Sequence, residues 1–169
     1  MSGLSPYLLL PLLLSVALLQ ATALPELKIL GVKPELMLLL VLAWSLLRSS
    51  EEGLLWAFVG GMMLDLFSGG PFGTSTLGLL VVSFFAGLVE ASTIRASLLL
   101  PMIAALLGTL LYQGLFLLII QVTRGNVPWV DSLLQVTLPS LAVNALLMPL
   151  VFQIAVWLDR RVGRQDIRW

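Results

Sequence analysis

The spacing of charge along this chain leaves few folds open to it. Nine basic and nine acidic residues are placed so that no Asp, Glu, Lys or Arg occurs in 1–25, 36–47, 53–64, 66–89, 96–123 or 132–158. A helix needs about 20 apolar residues, rising about 1.5 Å each, to cross roughly 30 Å of hydrocarbon. The runs 1–25, 66–89, 96–123 and 132–158 reach that length, while 36–47 and 53–64 hold 12 residues each. Composition agrees: 59% of the chain is hydrophobic and 11% charged, against roughly 45–50% and about 25% in ordinary globular domains. A small water-soluble domain needs more polar surface than this, and intrinsic disorder is excluded by the same balance. Equal numbers of acidic and basic residues give no pull toward nucleic acid. The chain has no Cys and no His, which removes disulfides, thiol catalysis and the commonest zinc and iron ligand sets. No cofactor and no metal are expected.

The two short runs could form a re-entrant hairpin or two thin spans. A hairpin turning at mid-membrane would bury Arg48, Glu51 and Glu52, at a cost of at least about 2.5 kcal/mol per central charge. Trp44 and Trp56 flank the charged turn, each four residues outside it, and tryptophan favours the headgroup level. The pair therefore reads as true spans joined at the interface. The expected architecture is an all-α integral membrane bundle of six helices, at about 6–24, 34–48, 53–68, 76–93, 98–122 and 132–158, followed by a basic tail, 159–169. Pro34 opens the second helix, where its missing N–H does no harm. Pro139 and Pro149 should kink or split the last, and 131–139 could lie in the interface before the true span. Six crossings put both termini on one side. That side holds Arg48, Arg95, Arg160, Arg161, Arg164 and Arg168, and the other holds Lys28, Lys33 and Arg124. The positive-inside rule then places both termini in the cytoplasm. The four tail arginines should meet lipid headgroups, with about 1 kcal/mol of attraction each to anionic lipid. Residues 7–19 and Ala21-Thr22-Ala23 resemble a signal peptide, but no Lys or Arg precedes the apolar run, so retention as a span is expected.

Asp65 is the most informative polar residue. Counted from Gly53 it lies 12 residues into the third helix, roughly 18 Å along it. An ionisable side chain at such depth suggests a functional role, yet the helix ends soon after, so Asp65 could equally anchor the following loop. Gly53, Ala57, Gly61, Asp65 and Gly69 recur at strict i+4 spacing, which forms one ridge. Small residues on a ridge admit another backbone closely, either a helix of the same bundle or that of a partner. The segment from Phe67 to Ser75, with Gly69, Gly70, Pro71 and Gly73, must turn. It lacks the lysine and spacing of a phosphate-binding loop. Glu35 beside Pro34 is explained by the positive end of the second helix, and Gln113 and Asn144 as hydrogen bonds between helices. No nucleophile is paired with a base, so an enzyme is not expected.

Pro34-Glu35-Leu36 with its apolar run and short charged turn, then Gly61-x-x-x-Asp65-x-x-x-Gly69-Gly70-Pro71-Phe72-Gly73, resembles the bacterial rod shape-determining MreD family. The pattern covers about 40 residues, and the rest agrees in hydropathy. Glu35 stands where that family often has Asp. The resemblance implies a non-enzymatic part in cell elongation at the bacterial inner membrane. It implies an architecture like the substrate-binding subunits of energy-coupling-factor transporters. It also implies partnership with the bitopic protein MreC and regulation of a peptidoglycan polymerase and transpeptidase pair. The alternative is a substrate-binding membrane subunit of a vitamin-type transporter, which needs a cavity with converging polar groups.

Overall fold

The structure, a computed structural model, describes residues 6–23, 26, 31–48, 50–88, 99–125 and 128–162. Its regular elements are helical. They are α1 (Pro6–Thr22), α2 (Leu36–Leu47), α3 (Ser50–Ser68), α4 (Thr74–Gly87), α5 (Leu99–Arg124), the single turn α6 (Trp129–Ser132), a π-helical stretch Leu133–Thr137, and α7 (Leu138–Val162).

The sequence of α2, with Ser45 as its one polar residue, has no polar face to turn outward. A helix apolar all round must be surrounded. Every residue from Met37 to Leu47 is buried, and α1, α3, α4, α5 and α7 all pack on it. Ser45 is satisfied inside this core: its hydroxyl lies 2.8 Å from the Val41 carbonyl oxygen and 2.8 Å from the Ser83 hydroxyl of α4. The outer helices behave oppositely. Leu99–Thr123 and Trp129–Arg161 are long and apolar enough to cross a membrane, and only 28% and 33% of their most apolar windows are buried. Leu107 and Leu118 on α5, and Leu146 and Leu150 on α7, stand more than half exposed. An apolar shell of this extent is unfavourable in water and expected in lipid.

Leu10–Thr22, Leu36–Leu47 and Thr74–Gly87 are shorter apolar helices, and α2 rises only about 18 Å. The elements α3 and α4 run as Ser50–Ser68 and Thr74–Gly87; the expected end of the fourth helix, with Glu90 and Arg95, lies outside the described residues.

Two local expectations meet a different geometry. Trp44 and Trp56 do not reach outward. They stack on each other in the core, with ring centroids 4.2 Å apart and planes 13° from parallel, and both are at most 1% exposed. The turn between α2 and α3 is so short that residues equidistant from it come into register, and burial of two indoles outweighs their interfacial preference. In the last helix, Pro139 is preceded by the π stretch, in which Leu138 N–H donates back to the Leu133 carbonyl. Proline cannot donate, and the ladder widens by one residue to accommodate it. At Pro149 the helix is not split: α7 continues through it.

Candidate functional site

Asp65 ends the buried face of α3 and reaches across to the start of α4. Its Oδ2 accepts from the Gly73 nitrogen at 3.0 Å, the Thr76 nitrogen at 3.1 Å and the Thr76 hydroxyl at 2.6 Å; its Oδ1 accepts from the Ser75 nitrogen at 2.8 Å. The first N–H groups of a helix have no partner within it, and here one carboxylate from the preceding helix serves three backbone donors at that end. The chain must reverse tightly to allow this. Gly69 has φ +63° and Gly73 has φ +92°, a region that costs other residues about 1–2 kcal/mol. The Pro71 carbonyl closes the turn by accepting from the Thr74 hydroxyl at 2.7 Å. These four contacts of the carboxylate all go to the loop and cap it organises.

The small-residue ridge faces the chain's own helices. A methyl group added at Gly61 would collide with the Thr76 Cα and stand 2.9 Å from its nitrogen, and one added at Gly53 would stand 2.9 Å from the Ser45 Cβ. Ala57 is fully buried. Gly69 lies beyond the helix, with open space where a side chain would project.

A second polar group assembles from distant parts of the sequence. Glu35, just before α2, makes no side-chain cap to its own helix. Its Oε1 accepts from Gln113 Nε2 of α5 at 3.1 Å and its Oε2 from Asn144 Nδ2 of α7 at 3.5 Å. Asn144 Oδ1 in turn accepts from the Glu35 nitrogen at 3.1 Å, and its Nδ2 donates to Thr109 Oγ1 at 3.1 Å. The cap that Glu35 does not supply comes from α1, where Gln20 Oε1 accepts from the Met37 nitrogen at 2.8 Å. Glu35 stands at the N-cap of α2, where helix polarity favours an acidic residue, and its carboxylate is also held by two buried amides. Pro34 beside it is buried. Gln20 and Thr109 were not singled out by sequence, and the only signal was a polar residue inside an apolar run.

Beside this group lies a cavity of about 410 Å³ whose lining includes Gln20, Lys33, Glu35, Ser75, Tyr112 and Gln113, with Ser132, Thr137 and apolar neighbours completing it. It gathers the C-terminal end of α1, the start of α2, Leu64 near the end of α3, the start of α4, the later part of α5, and the π stretch before α7. A larger cavity of about 590 Å³ between α2, α4 and α5 is walled by apolar residues and glycine alone. Among the described residues no cluster of three or more Asp or Glu could hold a metal ion.

The family model of rod shape-determining protein MreD matches residues 1–158. The chain belongs to the MreD family. Membership makes it a membrane protein of bacterial rod-shape determination, consistent with its two membrane-length apolar helices. No curated protein and no solved structure matches it significantly. Within this member, the Gly61-to-Gly73 pattern is the hairpin that Asp65 caps. The opposite end of the bundle holds Arg48, Arg160 and Arg161. Arg48 Nε lies 2.5 Å from Asp159 Oδ1 and its NH1 lies 3.8 Å from Glu52. Arg160 and Arg161 are exposed at the end of α7, with the Arg161 guanidinium 4.2 Å above the Trp157 ring. Arg164 and Arg168 lie outside the described residues.

Proposed function

We propose that this protein is a non-catalytic, multi-pass component of the cell-elongation complex in the bacterial inner membrane. In this role it binds an MreC-like bitopic protein and helps regulate a peptidoglycan polymerase and transpeptidase pair. The family match over residues 1–158 carries the reading. The use of Asp65 as a helix cap supports a structural rather than catalytic carboxylate there. Six spans with both termini cytoplasmic remain the proposed topology. The basic asymmetry of the sequence supports the cytoplasmic side, and two observations support the alternating direction of the helices. The cavity collects alternating C-terminal and N-terminal ends of successive helices, as antiparallel neighbours require. Arg48, at the end of α2, pairs with Asp159, near the end of α7, as two helices ending on one side require.

Co-purification from native membranes followed by mass spectrometry tests the role. Recovery of an MreC-like protein with the synthase pair is the expected outcome; recovery of neither overturns it. Reporter fusions after Trp169 and within 69–75 test the topology. Cytoplasmic activity at the first and periplasmic activity at the second are expected, and the reverse at either site refutes it. A second reading, the substrate-binding subunit of a vitamin-type transporter, is favoured by one feature, the polar-lined cavity. An ATPase module in the same pull-down would support it instead.

A further inference from the structure

We propose that the cavity beside Glu35 is a binding site for a primary ammonium group carried on a short apolar body. Three observations point to that chemistry. The Gln113 side chain is 7% exposed, and among the described residues nothing donates to its Oε1. With Glu35 ionised, the Gln113 NH2 is the group that faces the carboxylate oxygen. An unpartnered buried acceptor is costly, and the residue that carries it lines the cavity. The second observation is Glu35. Its carboxylate is bound by two neutral amides, and among the described residues it forms no salt bridge. A partly buried carboxylate gains most from a cation. Lys33 lines the same cavity and its charge acts on the carboxylate through space, but it is exposed and forms no ion pair with it.

The third is the wall. Leu64, Phe116, Leu117 and Val136 bound the space, so a ligand there needs an apolar portion as well as a donor head. The volume of about 410 Å³ is that of roughly a dozen waters, enough for an ammonium head and about six carbons. A protonated primary amine has three donors and one positive charge. It satisfies Gln113 Oε1 and Glu35 together, where a neutral hydroxyl leaves the charge uncompensated and an anion is repelled. Two sources present this group: the ethanolamine headgroup of a membrane lipid, and a free amine.

The full-length protein in lipid nanodiscs distinguishes them. Thermal unfolding is compared in discs of phosphatidylglycerol alone and in discs containing phosphatidylethanolamine. In the first, hexylammonium chloride is titrated against hexanol. A higher Tm in the ethanolamine discs assigns the lipid source, and a rise with hexylammonium that hexanol does not match assigns the free amine; either supports the site. Glu35→Gln should weaken the apparent affinity at least about tenfold. Val136, half exposed at the rim of the cavity, is not among the partners of Glu35, and Val136→Trp, by narrowing the space, should abolish both shifts. Should Glu35→Gln not fold, Val136→Trp alone decides. The proposal is overturned if neither ligand raises the Tm, if hexanol acts as well as hexylammonium, or if Val136→Trp responds like the wild type.

Discussion

Asp65 holds Thr76 twice through a single oxygen, Oδ2, accepting from its backbone nitrogen at 3.1 Å and from its hydroxyl at 2.6 Å. The same residue, Thr76, is the wall against which Gly61 packs. The i+4 pair on α3 therefore acts on one point of α4, with Gly61 letting the backbone come close and Asp65 fastening it there. The hairpin is set by both together.

Removing the fastening should cost more than neutralising it. In Asp65→Leu, three backbone N–H groups and a hydroxyl lose their acceptor. Loss of a cap costs about 0.5–2 kcal/mol, and each buried donor left unpaired adds about 1–3 kcal/mol. Asp65→Asn keeps one accepting oxygen, which can take the place of Oδ2, and gives up the bond to Ser75. The expected order of Tm in detergent is wild type, then Asn, then Leu. Equal Tm values for Asn and Leu would show that the cap is not what stabilises the loop.

Gly61→Leu should separate α3 from α4. There is no empty space to take the side chain, since even a Cβ meets the Thr76 backbone, and backbone cannot move as a flexible side chain can. Overpacking costs about 1–3 kcal/mol, and this position lies at or above the upper end. Gly61→Ala should already lower the Tm. Wild-type thermal stability of Gly61→Leu would refute the close contact.

Gly73 makes a contrasting case. A Cβ there meets nothing within 4 Å, yet φ is +92°, so the penalty of substitution is conformational alone. Gly73→Val should lose about 1–2 kcal/mol, and Gly73→Asn less, because asparagine enters positive φ more readily. Thermal melts of the two variants check the order, and a Val variant as stable as the Asn one would contradict it.

How much of this was readable beforehand depends on distance along the chain. The helical class followed from charge-free runs, and the importance of Asp65, Gly61 and the turn at Gly69–Gly73 followed from spacing within 13 residues, because a hairpin brings its own neighbours together. Glu35, Gln113 and Asn144 lie 78 and 109 residues apart along the chain. Each had a sufficient local explanation, a helix end or a generic interhelical bond, and no local pattern links them. Trp44 and Trp56 show the opposite failure. Propensity placed them at the headgroups, whereas their equal distance from the Arg48–Glu52 turn already implied that antiparallel helices would pair them.

The ion pair at the far end offers a reciprocal test. Arg48 and Asp159 keep 18% and 17% of their side chains exposed, between a surface pair worth about 0–1 kcal/mol and a buried one whose rupture costs about 3–5 kcal/mol. Arg48→Met should therefore lose about 1–2 kcal/mol, and the exchange Arg48→Asp with Asp159→Arg should recover part of it. Melts of both single variants and the exchange give the coupling. An exchange no better than the sum of its singles would mean that the two helix ends are not held by this contact.

Asn144 ties three helices through one amide. Its Oδ1 accepts from the Glu35 nitrogen, and its Nδ2 donates to Thr109 Oγ1 and, more weakly, to Glu35 Oε2. The residue is fully buried, so water does not take over these bonds. Asn144→Leu keeps the volume and deletes them all, leaving the Glu35 N–H without its acceptor, a loss of about 2–4 kcal/mol. Asn144→Asp still accepts from that N–H but brings a second carboxylate to the Glu35 side chain, at a position where the amide now lies 3.5 Å away. Like charges at that separation repel strongly in a medium of low dielectric. Asn144→Asp should therefore melt no higher than Asn144→Leu at neutral pH, although it is the closer isostere. Adding Glu35→Gln to the Asp variant should raise its Tm, because the repulsion is removed. If the double variant melts below Asn144→Asp, the two side chains do not face each other and the cluster is assembled differently.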